Sequence, residues 1–213
     1  FKLYITDLEG LPVVKIKNYN KYTNNITFVI LMTAMYFFNN KIMFMQFNVD
    51  TLYNLKNEKL EPYAIFNLGK MKMDPNLMIP SQNMIEAAEV LKHELWIDNI
   101  FENGHYLFLK LNYGFSDSST TCIIDKINLE TSFLANNSFK NDIDGGINFW
   151  PKYVYNDSIL VDYCEAYVLL NHIRSGDSKK LKEVYGDRYL QLEKAVSVLD
   201  VMSNPILIIL KSR

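Results

Sequence analysis

Residues 51–69 read Thr51-Leu52-Tyr53-Asn54-Leu55-Lys56-Asn57-Glu58-Lys59-Leu60-Glu61-Pro62-Tyr63-Ala64-Ile65-Phe66-Asn67-Leu68-Gly69. Thr51 to Leu55 has a strand's composition, Lys56 to Lys59 is a polar turn, and Tyr63 to Leu68 returns as a second strand that Gly69 ends. Just upstream, Ile26 to Met35 is a continuous apolar run, which predicts an inner strand covered on both faces. Asn39-Asn40 turns that run into Ile42 to Phe47, so four strands follow one another in this region. At the chain's start, Phe1 to Ile5 alternates, Asp7-Leu8-Glu9-Gly10 turns, and Pro12 to Ile16 returns.

The pattern repeats downstream. Trp96 to Phe101, a turn at Glu102-Asn103-Gly104 and His105 to Leu111 predict a hairpin, and Thr120 to Asp125 and Asn128 to Leu134 add two strands. A third unit opens at Phe149, with Tyr153 to Tyr155, a turn at Asn156-Asp157 and Ile159 to Tyr163, and closes only with Ile206 to Leu210. Helical insertions interrupt the series at about 81–95 and 166–201. In the first, Ser81 reads as the N-cap and Ile85, Ala88, Leu91 and Leu95 share a face. In the second, Leu181, Val184, Tyr185, Leu192, Val196 and Leu199 lie at helical spacing; Gly186-Asp187 breaks the region in two, with Asp187 capping the second piece. Repeated four-strand units predict a mainly β chain, a partial β-propeller of about three four-stranded antiparallel blades forming one domain over residues 1–213. Period alone does not exclude a β-sandwich.

Three stretches carry a resemblance. They are Thr51 to Leu55 with Leu60-Glu61-Pro62-Tyr63 and Phe66 to Lys70; Asn141-Asp142-Ile143-Asp144-Gly145-Gly146 with Phe149-Trp150-Pro151-Lys152-Tyr153; and Ser203-Asn204-Pro205-Ile206 to Lys211. Together, and in this order, they resemble the six-bladed β-propeller lipoproteins of Bacteroides-like bacteria. The chain departs from that pattern at Asn67, where an acid is more usual, and above all in length. The resemblance implies the C-terminal half of a longer extracytoplasmic protein, held to a membrane only through a lipid anchor outside this chain. An open half-propeller would leave strand edges and an apolar blade face for other chain to cover. The resemblance carries no activity over to these residues.

Composition narrows the function classes. Of 213 residues 49% are hydrophobic and 14% aromatic, which describes a chain that can bury a real core. A net charge of −2 with interspersed signs argues against a nucleic-acid partner. The longest apolar run, Ile26 to Phe38, is shorter than the roughly twenty residues that a membrane-spanning helix needs. Cys122 and Cys164 stand far apart in apolar segments and read as two buried free thiols, or as a disulfide in an oxidising compartment, without a Cys or His at metal-ligand spacing.

The Asp142 to Lys152 stretch is the candidate site. Its alternating acids and glycines suit a self-capped turn, a Ca²⁺ loop, or the polar rim of a ligand site, although no acid stands where an EF-hand loop would need one. In the rim reading Asp142 and Asp144 supply polar contacts, Trp150 a stacking face and Lys152 a cation, although a Trp here more often belongs to the blade core. His93, beside Glu89 on a helix, His105 and His172 have no nucleophile or carboxylate at a motif spacing, and neither G-x-S-x-G nor H-E-x-x-H occurs. The expected protein is therefore a non-enzymatic binder of a ligand or partner (carbohydrate, peptide or envelope protein) without a cofactor or a metal. A glycan-acting hydrolase or lyase using channel-facing carboxylates is the alternative.

Overall fold

The structure, a computed structural model, describes residues 3–17, 33–46, 49–73, 84–114, 119–155 and 157–211. It is mainly β, with four-stranded antiparallel sheets and some helices. The chain divides into two compact units, Phe1–Ile100 with Phe108–Cys122, and Phe101–Leu107 with Ile123–Arg213.

In the first unit β1 (Leu3–Thr6) and β2 (Pro12–Ile16) form a hairpin. The next sheet is a simple meander of β3 (Thr33–Phe38), β4 (Lys41–Gln46), β5 (Thr51–Lys56) and β6 (Lys59–Ile65). Two of its turns have the same cause: Asn39 and Asn40 at φ 48° and 59°, then Asn57 and Glu58 at 47° and 62°, take the left-handed geometry that matches the twist of paired strands. The strand covered on both faces is β4, where Met43, Phe44, Met45 and Gln46 are all buried. The sequence pattern assigns that role instead to the run Ile26 to Met35. Its residues before Thr33 lie outside those described, and β3 alternates, with Met35 54% and Phe37 75% exposed. Among the described residues β3 is an outer strand of the sheet, and the face that carries Met35 and Phe37 is uncovered.

α1 spans Met84–Leu91, shorter than the sequence suggests. Leu91 is fully buried against Met73 and Trp96, but Ile85 is exposed, and Leu95 has already entered the next strand. The expected cap at Ser81 lies outside the described residues. β7 (Leu95–Glu102), β8 (Tyr106–Tyr113), β9 (Ser119–Asp125) and β10 (Thr131–Phe133) form a second four-stranded sheet in the order β10–β9–β8–β7. β10 begins three residues later than expected because Asp125 closes a turn first, its Oδ1 accepting from the Ile127 and Asn128 amides at 2.7 and 3.3 Å.

The second unit holds a three-stranded sheet of β11 (Tyr153–Tyr155), β12 (Ile159–Cys164) and β13 (Ile206–Lys211), so the chain's last strand does close this unit. Between β12 and β13 come α2 (Ala166–Ser175), α3 (Ser178–Tyr185) and α4 (Asp187–Val196). Gly186, at φ 54°, separates α3 from α4 as the sequence implies. Asp187 does not cap: it is the first residue of α4, and the side-chain cap in this region is Asp177, which accepts from the Lys180 amide at 3.2 Å at the start of α3. Leu169, Leu170, Ile173, Tyr189 and Val196 form the core of this unit, with Cys164 and Ile206 of the sheet packed against it. No helix among the described residues is long and apolar enough to cross a membrane.

Candidate functional site

The loop Asn141 to Gly146 is tied down at almost every residue. The Asn141 carboxamide closes the turn on itself: its Oδ1 accepts from the amides of Ile143 (3.0 Å) and Asp144 (3.3 Å). Its Nδ2 donates to Asp144 Oδ1 (2.9 Å) and the Ile147 carbonyl (3.2 Å). Asp144 Oδ1 also accepts from the Gly146 amide at 2.9 Å. Asp144, expected at a ligand rim, is thus engaged in holding its own loop.

Helices clamp the same loop from outside. His172 Nε2 on α2 donates to the Gly145 carbonyl at 2.9 Å, and the Tyr185 hydroxyl on α3 donates to the Asn141 carbonyl at 3.3 Å. Gly145 sits at φ 78°, and a Cβ there would lie 2.8 Å from Tyr185 Cδ2 and 3.3 Å from Tyr189 Cδ2. Only glycine meets both the backbone angle and the close approach. Asp142 differs from its neighbours: it is exposed, and among the described residues it makes no hydrogen bond or ion pair.

Trp150 and Lys152 are placed by Asp162, a buried carboxylate on β12. Asp162 accepts from the Trp150 amide (Oδ2, 3.1 Å) and the Tyr163 amide (Oδ1, 2.7 Å), and pairs with Lys152 Nζ at 2.9 Å. Lys152 Nζ also donates to the Tyr163 carbonyl at 2.6 Å and lies 3.8 Å from the centre of the Tyr163 ring. The Trp150 indole stacks on Phe139 (6.0 Å, 22°) and leans on Phe101 (6.0 Å, 55°), so much of its surface serves an aromatic cluster. Of the four candidates, then, Asp144, Trp150 and Lys152 have structural partners and Asp142 alone presents its side chain unengaged.

Sequence reasoning missed two groups. His172 is one: nothing in its spacing shows that its ring reaches a carbonyl 27 residues earlier. The other is the pair Glu102–Lys126, at 2.6 Å, whose carboxylate is completely buried and whose ammonium also donates to the Asn103 carbonyl at 2.8 Å. A second charged pair, Asp50–Lys72 at 2.5 Å, lies beside Met73 and Trp96 at a shallow surface depression. Burial pushes the Asp50 carboxyl up, but the Lys72 ammonium and the Thr51 hydroxyl outweigh it and hold the group below the ordinary aspartate value. These two charges satisfy each other, which leaves little for a ligand there. Glu89 pairs with Lys92, and α1 ends at Leu91, so His93 lies beyond the helix on which the sequence places it. Cys122 and Cys164 are free thiols, and burial pushes Cys122 up to about 11. Among the described residues no three His, Cys, Asp or Glu side chains gather where they could hold a metal ion.

Comparison with known proteins agrees with the mixed picture of a recognisable fold and an unassigned site. Residues 1–211 match DUF4934, a domain of unknown function. No curated protein matches the chain. Among solved structures, a Bacteroides fragilis protein described as a "putative exported protein" superposes with a TM-score of 0.52 at 13% identity, over 84% of this chain and 49% of that one. The chain therefore spans about half the length of that neighbour.

Proposed function

We propose that this chain, which belongs to the DUF4934 family, is part of an extracytoplasmic β-propeller that binds a ligand or partner protein through loops at one end of its sheets and does no chemistry on it. Consecutive meanders of four strands, repeated along the chain, suit propeller blades. The fold neighbour is a larger protein described as exported, which is in keeping with a location outside the cytoplasm.

The observation that carries the binding reading is the contrast within one loop. Asn141, Asp144, Gly145 and Gly146 are fixed by hydrogen bonds from within the loop and from α2 and α3, while Asp142 stands exposed. A carboxylate displayed on a rigid frame loses little conformational entropy when it meets a partner. Lys152, half-exposed, adds a cation on the following segment. The hydrolase alternative is weakened because Asp144 already accepts two hydrogen bonds that hold its loop, and it is not poised as an acid or base. An array of glycans and peptides tests the reading: retention of a ligand in unchanged form is expected, and cleavage of the bound compound would overturn it.

A further inference from the structure

The turn between β7 and β8 holds the chain's single Asn-Gly step, Asn103-Gly104. Asn-Gly is the dipeptide most prone to deamidate, because glycine has no side chain to hinder its own amide. In an open chain the Gly104 nitrogen attacks Asn103 Cγ: a new N–C bond forms, the Cγ–Nδ2 bond breaks and ammonia leaves. Water then opens the succinimide ring, at one carbonyl to give aspartate and at the other to give isoaspartate.

The folded turn holds the carboxamide away from that reaction. Asn103 is 4% exposed, and its Oδ1 accepts from the His105 amide at 3.0 Å and the Tyr106 amide at 2.8 Å. Its own amide donates to the Tyr106 carbonyl at 2.9 Å. Lys126, paired with the buried Glu102, donates to the Asn103 carbonyl at 2.8 Å and so clamps the turn from the next hairpin. Turning the carboxamide toward the Gly104 nitrogen breaks two hydrogen bonds in a buried setting.

We propose that Asn103 is a latent deamidation site, protected while the turn is closed and exposed to attack when the Glu102–Lys126 clamp releases. Folding slows the reaction by the fraction of time that the turn is open. Neither product suits the closed turn. Isoaspartate lengthens the main chain by one carbon, and both products add a negative charge to a turn that already buries the Glu102 carboxylate. The conversion is irreversible, so it leaves a covalent record of opening and a weaker turn.

The chain is held in warm, mildly alkaline buffer, folded or unfolded in guanidinium, and conversion at residue 103 is followed by mass spectrometry of its peptides. The unfolded chain is expected to react at least about tenfold faster than the folded one. Lys126→Met removes the clamp and should raise the folded rate. Denaturant too dilute to unfold the parent should do the same, which reads the gate even where that variant does not fold. Gly104→Ala should suppress the reaction in the unfolded chain; the turn accommodates it, because an added Cβ would meet only the Asp157 carboxylate, at 3.7 Å. A folded parent that deamidates as fast as the unfolded chain overturns the proposal. So does a rate that dilute denaturant leaves unchanged, or that a folded Lys126→Met fails to raise.

Discussion

His172 Nε2 donates to the Gly145 carbonyl across 2.9 Å, tying a helix to the loop that presents Asp142. The contact forms where Gly145 adopts φ 78° and lets its backbone lie against Tyr185 and Tyr189. Gly145→Ala is expected to cost about 2–3 kcal/mol, from left-handed strain together with a Cβ forced against a ring. His172→Ala is expected to cost about 1 kcal/mol, the size of one neutral hydrogen bond. Chemical denaturation of the two variants checks the order: Gly145→Ala should be the more destabilised.

The Glu102–Lys126 pair should show the asymmetry of a buried charge. Lys126→Met takes the paired cation from a completely buried carboxylate and is expected to destabilise by about 3–5 kcal/mol. The double variant Glu102→Leu/Lys126→Met removes both charges and should be more stable than the single one. Urea unfolding of the three proteins gives the comparison, and a double variant no better than the single would contradict it.

Asp50 ties stability to acid pH. Its carboxyl lies below the ordinary value when folded, so its pairing with Lys72 contributes stability above the unfolded value of 3.8. That contribution is lost as pH falls through the lower, folded value. Asp50→Asn is therefore expected to be less stable than the parent at neutral pH, by at most about 1 kcal/mol for so accessible a pair. The gap should close below pH 3.8, as melting curves across the acid range would record.

The two thiols should react at different rates. Burial pushes Cys122 up to about 11, and Cys164 is raised first by burial and then by the Asp162 carboxylate, with Lys152 opposing. Both are held as thiols at neutral pH, but Cys164 is only half-buried. Alkylation of the native protein by iodoacetamide should label Cys164 first and Cys122 only with unfolding, which mass spectrometry of the peptides resolves.

Most strands are legible in the sequence because local chemistry sets them. The Asn39-Asn40 turn and the polar Lys56 to Lys59 segment mark their hairpins whatever surrounds them. Which strand is covered on both faces is not legible, because an apolar run looks the same at a sheet's edge as at its centre. β3 and β4 are both apolar, and only their places in the sheet separate them. The site is legible as a loop and not as a set of roles. Asp142 and Asp144 look alike in sequence, yet the turn closed by Asn141 draws in one carboxylate and leaves the other outside. Contacts made at long separation, such as Glu102–Lys126, leave no local pattern at all.

Titration of an array-selected ligand against the parent chain, Asp142→Ala and Lys152→Ala tests whether the Asp142 loop binds. Asp142→Ala is expected to weaken binding about tenfold, the loss of one charge-assisted hydrogen bond, while its melting temperature stays unchanged. Lys152→Ala should weaken binding and also lower stability, because it strips the buried Asp162 carboxylate of its cation. Undiminished binding by Asp142→Ala would contradict the assignment of this loop.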